Sequence, residues 1–280
     1  KRQKGSKFEK RAKLLDIDFT KTQFQKTRKV STNKTLIKSF GRIGMCLNNK
    51  PTESVPVEEL DKVCFILCNT YKRDDLSLGI GPLNDAYMVG LNFQRFGFKI
   101  FYLRNPRSEE FLDYMKFFLN NTKETLVMYY SGRIISIPHT DPTRPNITAA
   151  VFDDGELHDE EIGAVLNENC NHKAKVILIS DCRGGGSIWN IKPLTENGEE
   201  KPDILTFSGK VDPDATANAL NKTHKLHGVF TYYFCRLLNE CPDITPERLS
   251  ERINPPLNRF DESVMCQFTK DDVETTPILN

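Results

Sequence analysis

The chain reads as an α/β protein whose mainly parallel central sheet is sandwiched between helix layers, and three observations carry that reading. β-rich apolar runs alternate with helical patterns of ten or more residues, the arrangement that builds parallel sheets through crossover helices. One such run, Val176 to Ile179, stops abruptly at a polar, glycine-rich turn, as strands do at the carboxyl edge of a parallel sheet. A chain of 280 residues with 38% hydrophobic content is long and apolar enough for one sizeable core.

Lys62-Val-Cys-Phe-Ile-Leu-Cys-Asn-Thr-Tyr71 is the first expected strand. Gly81-Pro-Leu-Asn-Asp-Ala86 opens a helix through about Phe96, with Asn84 or Asp85 expected as the N-cap because either side chain accepts free backbone donors. Gly97 to Leu103 gives the second strand. Ser108 to Lys123 gives a helix whose apolar face holds Phe111, Leu112, Met115, Phe118 and Leu119. Leu126-Val-Met-Tyr-Tyr-Ser-Gly-Arg133 is a strand expected to run into a loop at its end.

Composition narrows the function classes. No apolar run approaches membrane-spanning length, and no charged-then-apolar signal peptide opens the chain. Eight cysteines are scattered singly, which implies reduced thiols in a cytoplasmic protein rather than a disulfide scaffold. Cys64 and Cys68 share a strand face but lack partners at zinc-ligand spacing. The net charge of +1 hides an uneven split. Residues 1–50 hold 15 Lys/Arg against 3 Asp/Glu, a net of +12, leaving 24 against 35, or −11, for residues 51–280. Residues 1–55 are therefore read as a basic N-terminal arm and residues 56–280 as the folded domain. Such an arm suits nucleic acid, anionic lipid or the acidic body of its own domain. Sparse aromatics (Phe8, Phe19, Phe24, Phe40) disfavour a dedicated nucleic-acid reader.

The segment Lys175-Val-Ile-Leu-Ile-Ser-Asp-Cys-Arg-Gly-Gly-Gly-Ser-Ile-Trp-Asn190 is the most informative. It resembles the catalytic loop of the metacaspases, the caspase-like cysteine peptidases of protists, fungi and plants. Their strand runs into Asp-Cys-Cys-His-Ser-Gly-Ser or Asp-Ser-Cys-His-Ser-Gly. Aligned through Asp181, Gly186, Ser187 and Ile188, the nucleophile position is Arg183. Likewise Tyr129-Tyr-Ser-Gly-Arg133 resembles Tyr-Tyr-Ser-Gly-His-Gly, whose His is the general base, and that position is Arg133. A guanidinium stays protonated and has no lone pair to accept a proton, so it cannot activate a thiol. An alternative register lays Ser180-Asp-Cys-Arg-Gly184 on the Gln-Ala-Cys-Arg-Gly of typical caspases, which makes Cys182 the nucleophile and leaves the base position without His. His139 would serve only if its loop folded back.

Further blocks resemble the family in the same order, from about Val63 to Thr269. These are Gly81 to Ala86, the helix opened by acids within Leu157 to Leu166, Ile204-Leu-Thr-Phe-Ser-Gly-Lys-Val-Asp212, and Gly228-Val-Phe-Thr-Tyr-Tyr-Phe234 at a helix start. The resemblance implies the caspase-haemoglobinase fold and an N-terminal segment that wraps the domain. It also implies a substrate pocket for Arg or Lys, with Asp181 and Asp212 at its acidic positions. Arg183 is expected to pair with those two carboxylates in place of a substrate side chain. The alternative is that Asp181 merely caps the loop and Asp212 makes a turn. Family calcium positions fall on Asp159, Glu160, Asn190 and near Asn146, and the lost carboxylates predict weak or absent calcium binding, with no other cofactor expected. Asp153-Asp-Gly155 is expected to be a solvated acidic turn. The implied protein is a monomeric, catalytically dead metacaspase-like protein that binds protein partners, active relatives among them. The competing reading is an active endopeptidase that uses Cys182 and cleaves after Arg or Lys.

Overall fold

The computed structural model describes residues 31–139, 146–183, 187–191, 194, 201–211, 228–260 and 262–279. Among these, nine strands form one sheet. In chain order the elements are α1 (Ser31–Ile43), β1 (Met45–Cys46), β2 (Lys62–Cys68), α2 (Gly81–Arg95), β3 (Lys99–Arg104), α3 (Ser108–Asn121), β4 (Thr125–Ile137), β5 (Ile147–Phe152), β6 (Gly155–His158), α4 (Asp159–Asn169), β7 (Lys175–Arg183), β8 (Ile204–Val211), α5 (Val229–Glu240), α6 (Pro246–Leu257) and β9 (Glu262–Phe268). The strand order is β1-β3-β2-β4-β7-β8-β9; all these pairs are parallel except β8 with β9, and β5 and β6 extend the far half of β4 as an antiparallel hairpin.

The two-residue period of each strand divides its side chains between two cores. Phe65, Leu67, Leu126, Met128, Tyr130, Val176 and Leu178 pack with Phe111, Met115 and Phe118 of α3 and Ile162 and Leu166 of α4. Cys64, Ile66, Cys68, Val127, Tyr129, Ile177, Ile179 and Phe207 face the opposite way, against α1, α2, α5 and α6. This is the caspase-haemoglobinase fold expected from the sequence: a mostly parallel sheet between two helix layers.

Two local expectations are corrected. The strand predicted to give way to a loop at Arg133 continues to Ile137, because Ile134, Ile135 and Ile137 are β-branched and pair with Ile147 to Ala150. Asn84 and Asp85 lie inside α2, whose N-cap is Ile80, so neither caps its own helix. The turn at Asp153-Asp154 is exposed but engaged: Asp153 accepts from the Lys72 amide, and Asp154 accepts from the amide and hydroxyl of Ser108 at the start of α3. All eight cysteines are free thiols. No helix among the described residues is long and apolar enough to cross a membrane. From Ser31 onward the basic segment packs on the domain, with Phe40, Leu47 and Val55 buried in the cores. Residues 1–30 lie outside the described residues.

Candidate active site

Strands β4 and β7 are direct parallel neighbours, and their register pairs Ser131 with Asp181, Gly132 with Cys182 and Arg133 with Arg183. The two positions that the sequence singled out, fifty residues apart, therefore stand side by side at strand separation, about 4.8 Å. The Arg183 side chain, Gly184 to Gly186, the Lys210 side chain and Asp212 lie outside the described residues.

Arg133 is bound on three sides. Its amide donates to the Tyr71 hydroxyl at 2.5 Å, its carbonyl accepts from the Tyr130 hydroxyl at 3.0 Å, and its Nε donates to the Leu76 carbonyl at 2.7 Å. The guanidinium thus pins the β2–α2 loop beside the strand end. Tyr71 in turn donates to the Val151 carbonyl at 3.1 Å, and burial pushes its phenol up to about 12. It sits at φ 60°, in the left-handed region, held there by Asn105 Oδ1, which accepts from the Thr70 and Tyr71 amides at 2.7 and 3.1 Å. The two tyrosine hydroxyls explain Gly132: a Cβ there would lie 2.7 Å from the Tyr130 oxygen and 2.9 Å from that of Tyr71.

On β7 the alternation separates Asp181 from Cys182. Cys182 joins the core on the α3–α4 side, which also holds Ile188 and Trp189, and is only 3% exposed. Burial holds its thiol well above the ordinary range, and the Asp181 charge adds to that. Asp181 turns to the other layer. Its Oδ2 accepts from the Thr231 amide at 3.0 Å and the Thr231 hydroxyl at 2.6 Å. With the Thr231 proton so engaged, the Tyr129 hydroxyl, 2.9 Å away, is the donor to Thr231. Asp85 completes the arrangement from α2 by accepting from the Gly228 amide at 2.9 and 2.8 Å. Two carboxylates from distant elements thus satisfy the N-terminal donors of α5, the end that favours negative charge. Gly228 is required there, since a Cβ would run into the Asp181 carboxylate. Burial, and then the Asp181 charge, push the Asp85 carboxyl well above the usual range.

His139 follows the extended β4. The four residue steps from Arg133 to Ile137 span roughly 13 Å, so the strand carries the chain away from Arg133 and Arg183 before His139 instead of folding back at once. Asp159 and Glu160 open α4, and burial raises the Asp159 carboxyl. Asn190 lies against the same helix, its carbonyl 2.8 Å from where a Gly163 Cβ would stand, and Asn146 Nδ2 donates to Ser136 at 3.0 Å. No cluster of three or more His, Cys, Asp or Glu suited to a metal occurs among the described residues.

The caspase-domain family pattern matches residues 61–270. The chain belongs to the caspase-domain family. Solved structures agree on the fold. A protein from Geobacter sulfurreducens superposes with a TM-score of 0.58 at 16% identity, covering 79% of this chain and 98% of its own. The Drosophila initiator caspase Dronc gives 0.51 at 15% identity over 74% and 80% of the two chains. Caspase-1 from Spodoptera frugiperda gives 0.52 at 9% identity over 74% and 86%. No curated protein matches in sequence. Sequence reasoning missed the anchors Tyr71, Leu76 and Thr231 in this caspase-domain protein. Thr231 alone left a signal, as the third residue of a helix opened by glycine.

Proposed function

We propose that this caspase-domain protein is a metacaspase-like pseudo-peptidase that lacks the Cys/His dyad and acts by binding protein partners, active relatives among them. One observation carries the proposal. The dyad positions inferred from the sequence fall in register on the neighbouring strands β4 and β7, and both hold arginine. Neither guanidinium can take a proton from a thiol or return one to a leaving amine. Arg133 has acquired another task, holding the Leu76 carbonyl.

The pocket reading fits alongside. Asp181 Oδ2 is committed to Thr231, and its other oxygen makes no hydrogen bond among the described residues, which leaves it free for the cation of Arg183. Calcium is not expected to matter, because Asn190 brings no carboxylate to α4. Free thiols throughout suit a reducing, cytoplasmic setting, and we expect a monomer.

Cys182 as nucleophile is the competing reading, favoured only by its Cys-Arg-Gly context. Its burial and its raised pKa oppose it. Fluorogenic peptides ending in Arg or Lys, offered with and without calcium beside a Cys182→Ala control and an active metacaspase, test the proposal. The expected rate equals that of the control. Turnover abolished by Cys182→Ala would return the protein to the working peptidases.

A further inference from the structure

The amino edge of the sheet carries a recess far from the dyad positions. Lys62, Thr125 and Lys175, the first residues of β2, β4 and β7, are register partners, so their side chains leave the sheet on one face. Asp203 continues this row, its carbonyl accepting from the Val176 amide at 2.8 Å. Thr269, whose amide donates to the Ile204 carbonyl at 3.0 Å, brings Lys270 to the same edge. Two walls complete a cleft of about 410 Å³. One is the 171–174 turn, where Asn171 Oδ1 accepts from the amides of Lys173 and Ala174 at 3.0 and 3.1 Å. The other is the segment 277–279, held by the Ile278 amide on the Ile244 carbonyl at 3.0 Å. Between them Lys175 is buried, 9% exposed, and its Nζ donates to the Pro277 carbonyl at 3.1 Å. Along β4 the row lies roughly 26 Å from Arg133.

Lys62, Lys173, Lys175 and Lys270 line the cleft against two carboxylates, Glu124 and Asp203, an excess of two positive charges. Neither carboxylate forms an ion pair among the described residues, and neither do Lys62, Lys173 and Lys270. A recess lined by an excess of one sign focuses its field and concentrates counter-ions. The volume is that of a small-molecule site. Among the described residues its only apolar lining is Ala174 and Leu279, and no aromatic ring reaches it, so it offers little to an acyl chain or a stacked base. An anion of two or more charges balances the excess, and ammonium groups hold phosphate as point charges. We propose that this cleft binds the diphosphate or triphosphate group of a small molecule. The site is separate from the paired-arginine positions and stands whether or not the chain is a peptidase.

Isothermal titration calorimetry of the full chain with inorganic tripolyphosphate, at constant ionic strength, tests this. We expect saturable one-to-one binding, with acetate and sulfate at least tenfold weaker by charge and donor count. Lys62→Gln with Lys173→Gln should weaken tripolyphosphate on the order of tenfold or more. Lys34→Gln with Lys38→Gln, which removes the same charge from exposed positions of α1, should leave binding unchanged. The cleft variant should melt as the wild type does, because neither lysine has an ion pair to lose. Should it melt early, Lys270→Gln alone must show the weakened binding. ATP should bind no more tightly than tripolyphosphate, since the phosphates carry the recognition. Absent binding, cleft variants that bind like the wild type, or an equal loss in the α1 variant would overturn the proposal. So would ATP binding more than tenfold tighter than tripolyphosphate, which would move recognition to the base.

Discussion

Strands β4 and β7 run in register from Thr125 and Lys175 to Arg133 and Arg183, and the two ends of that pairing are held by different forces. From Leu126 to Tyr130, and from Val176 to Ile179, alternate side chains enter two cores and are buried almost completely. Each position there shares its burial with many neighbours. At Ser131, Arg133 and Asp181 polar side chains enter the pairing, and individual hydrogen bonds to remote partners hold two of them: Asp181 to Thr231, Arg133 to Leu76 and Tyr71. On the proposed reading, this difference lets a caspase scaffold keep its two cores while the residues at Arg133 and Arg183 change, since a new side chain there needs only one or two new partners to settle.

The sharpest test of that contrast is Phe118→Ala. Phe118 is fully buried in a cluster with Phe65, Phe101, Tyr114 and Phe117, so its truncation should cost about 3–5 kcal/mol in chemical denaturation. A loss below about 1 kcal/mol would mean that the core is not the dominant support. At the strand end, Thr231→Val keeps the shape but removes the donor to Asp181 and the acceptor for Tyr129. The same assay should register about 1–3 kcal/mol. If this variant equalled or exceeded Phe118→Ala, the two ends would not differ as described.

Much of this contrast is legible in the sequence and some of it is not. The unbroken apolar runs Val63 to Cys68, Leu126 to Tyr130 and Val176 to Ile179 announce the strands, because a strand of a parallel sheet covered on both faces buries side chains to both sides. The positions of Arg133 and Arg183 are legible through motif spacing, and the register brings them together. The continuation of β4 to Ile137 was obscured by Ser131-Gly132-Arg133, which imitates a strand end although the isoleucines beyond it favour extension. Asp85 illustrates the other limit. Its carboxylate caps a helix, as its residue type suggests, but the helix is α5, whose Gly228 lies 143 residues away, and local spacing carries no information about that.

A smaller effect follows from Asp85 itself. Its folded pKa lies above the unfolded value of about 3.9, so the folded state holds the proton more tightly. The associated stability is present below that pH and is lost as pH rises through the folded pKa. Asp85→Asn keeps an acceptor for Gly228 and removes the titration. Its denaturation midpoint should therefore fall less than the wild type's as pH is raised from acidic values toward neutrality. Parallel curves would show that Asp85 stays charged in the folded protein.

The most direct test of the paired-arginine site is exposure of the folded protein to an arginyl fluoromethyl ketone, followed by peptide mapping. Such a reagent alkylates a thiolate only where a peptidase site presents it beside an Arg-binding pocket. The account predicts no adduct at Cys182 until the protein is unfolded. Stoichiometric modification of Cys182 in the native state, prevented by a competing Arg-terminated peptide, would contradict it.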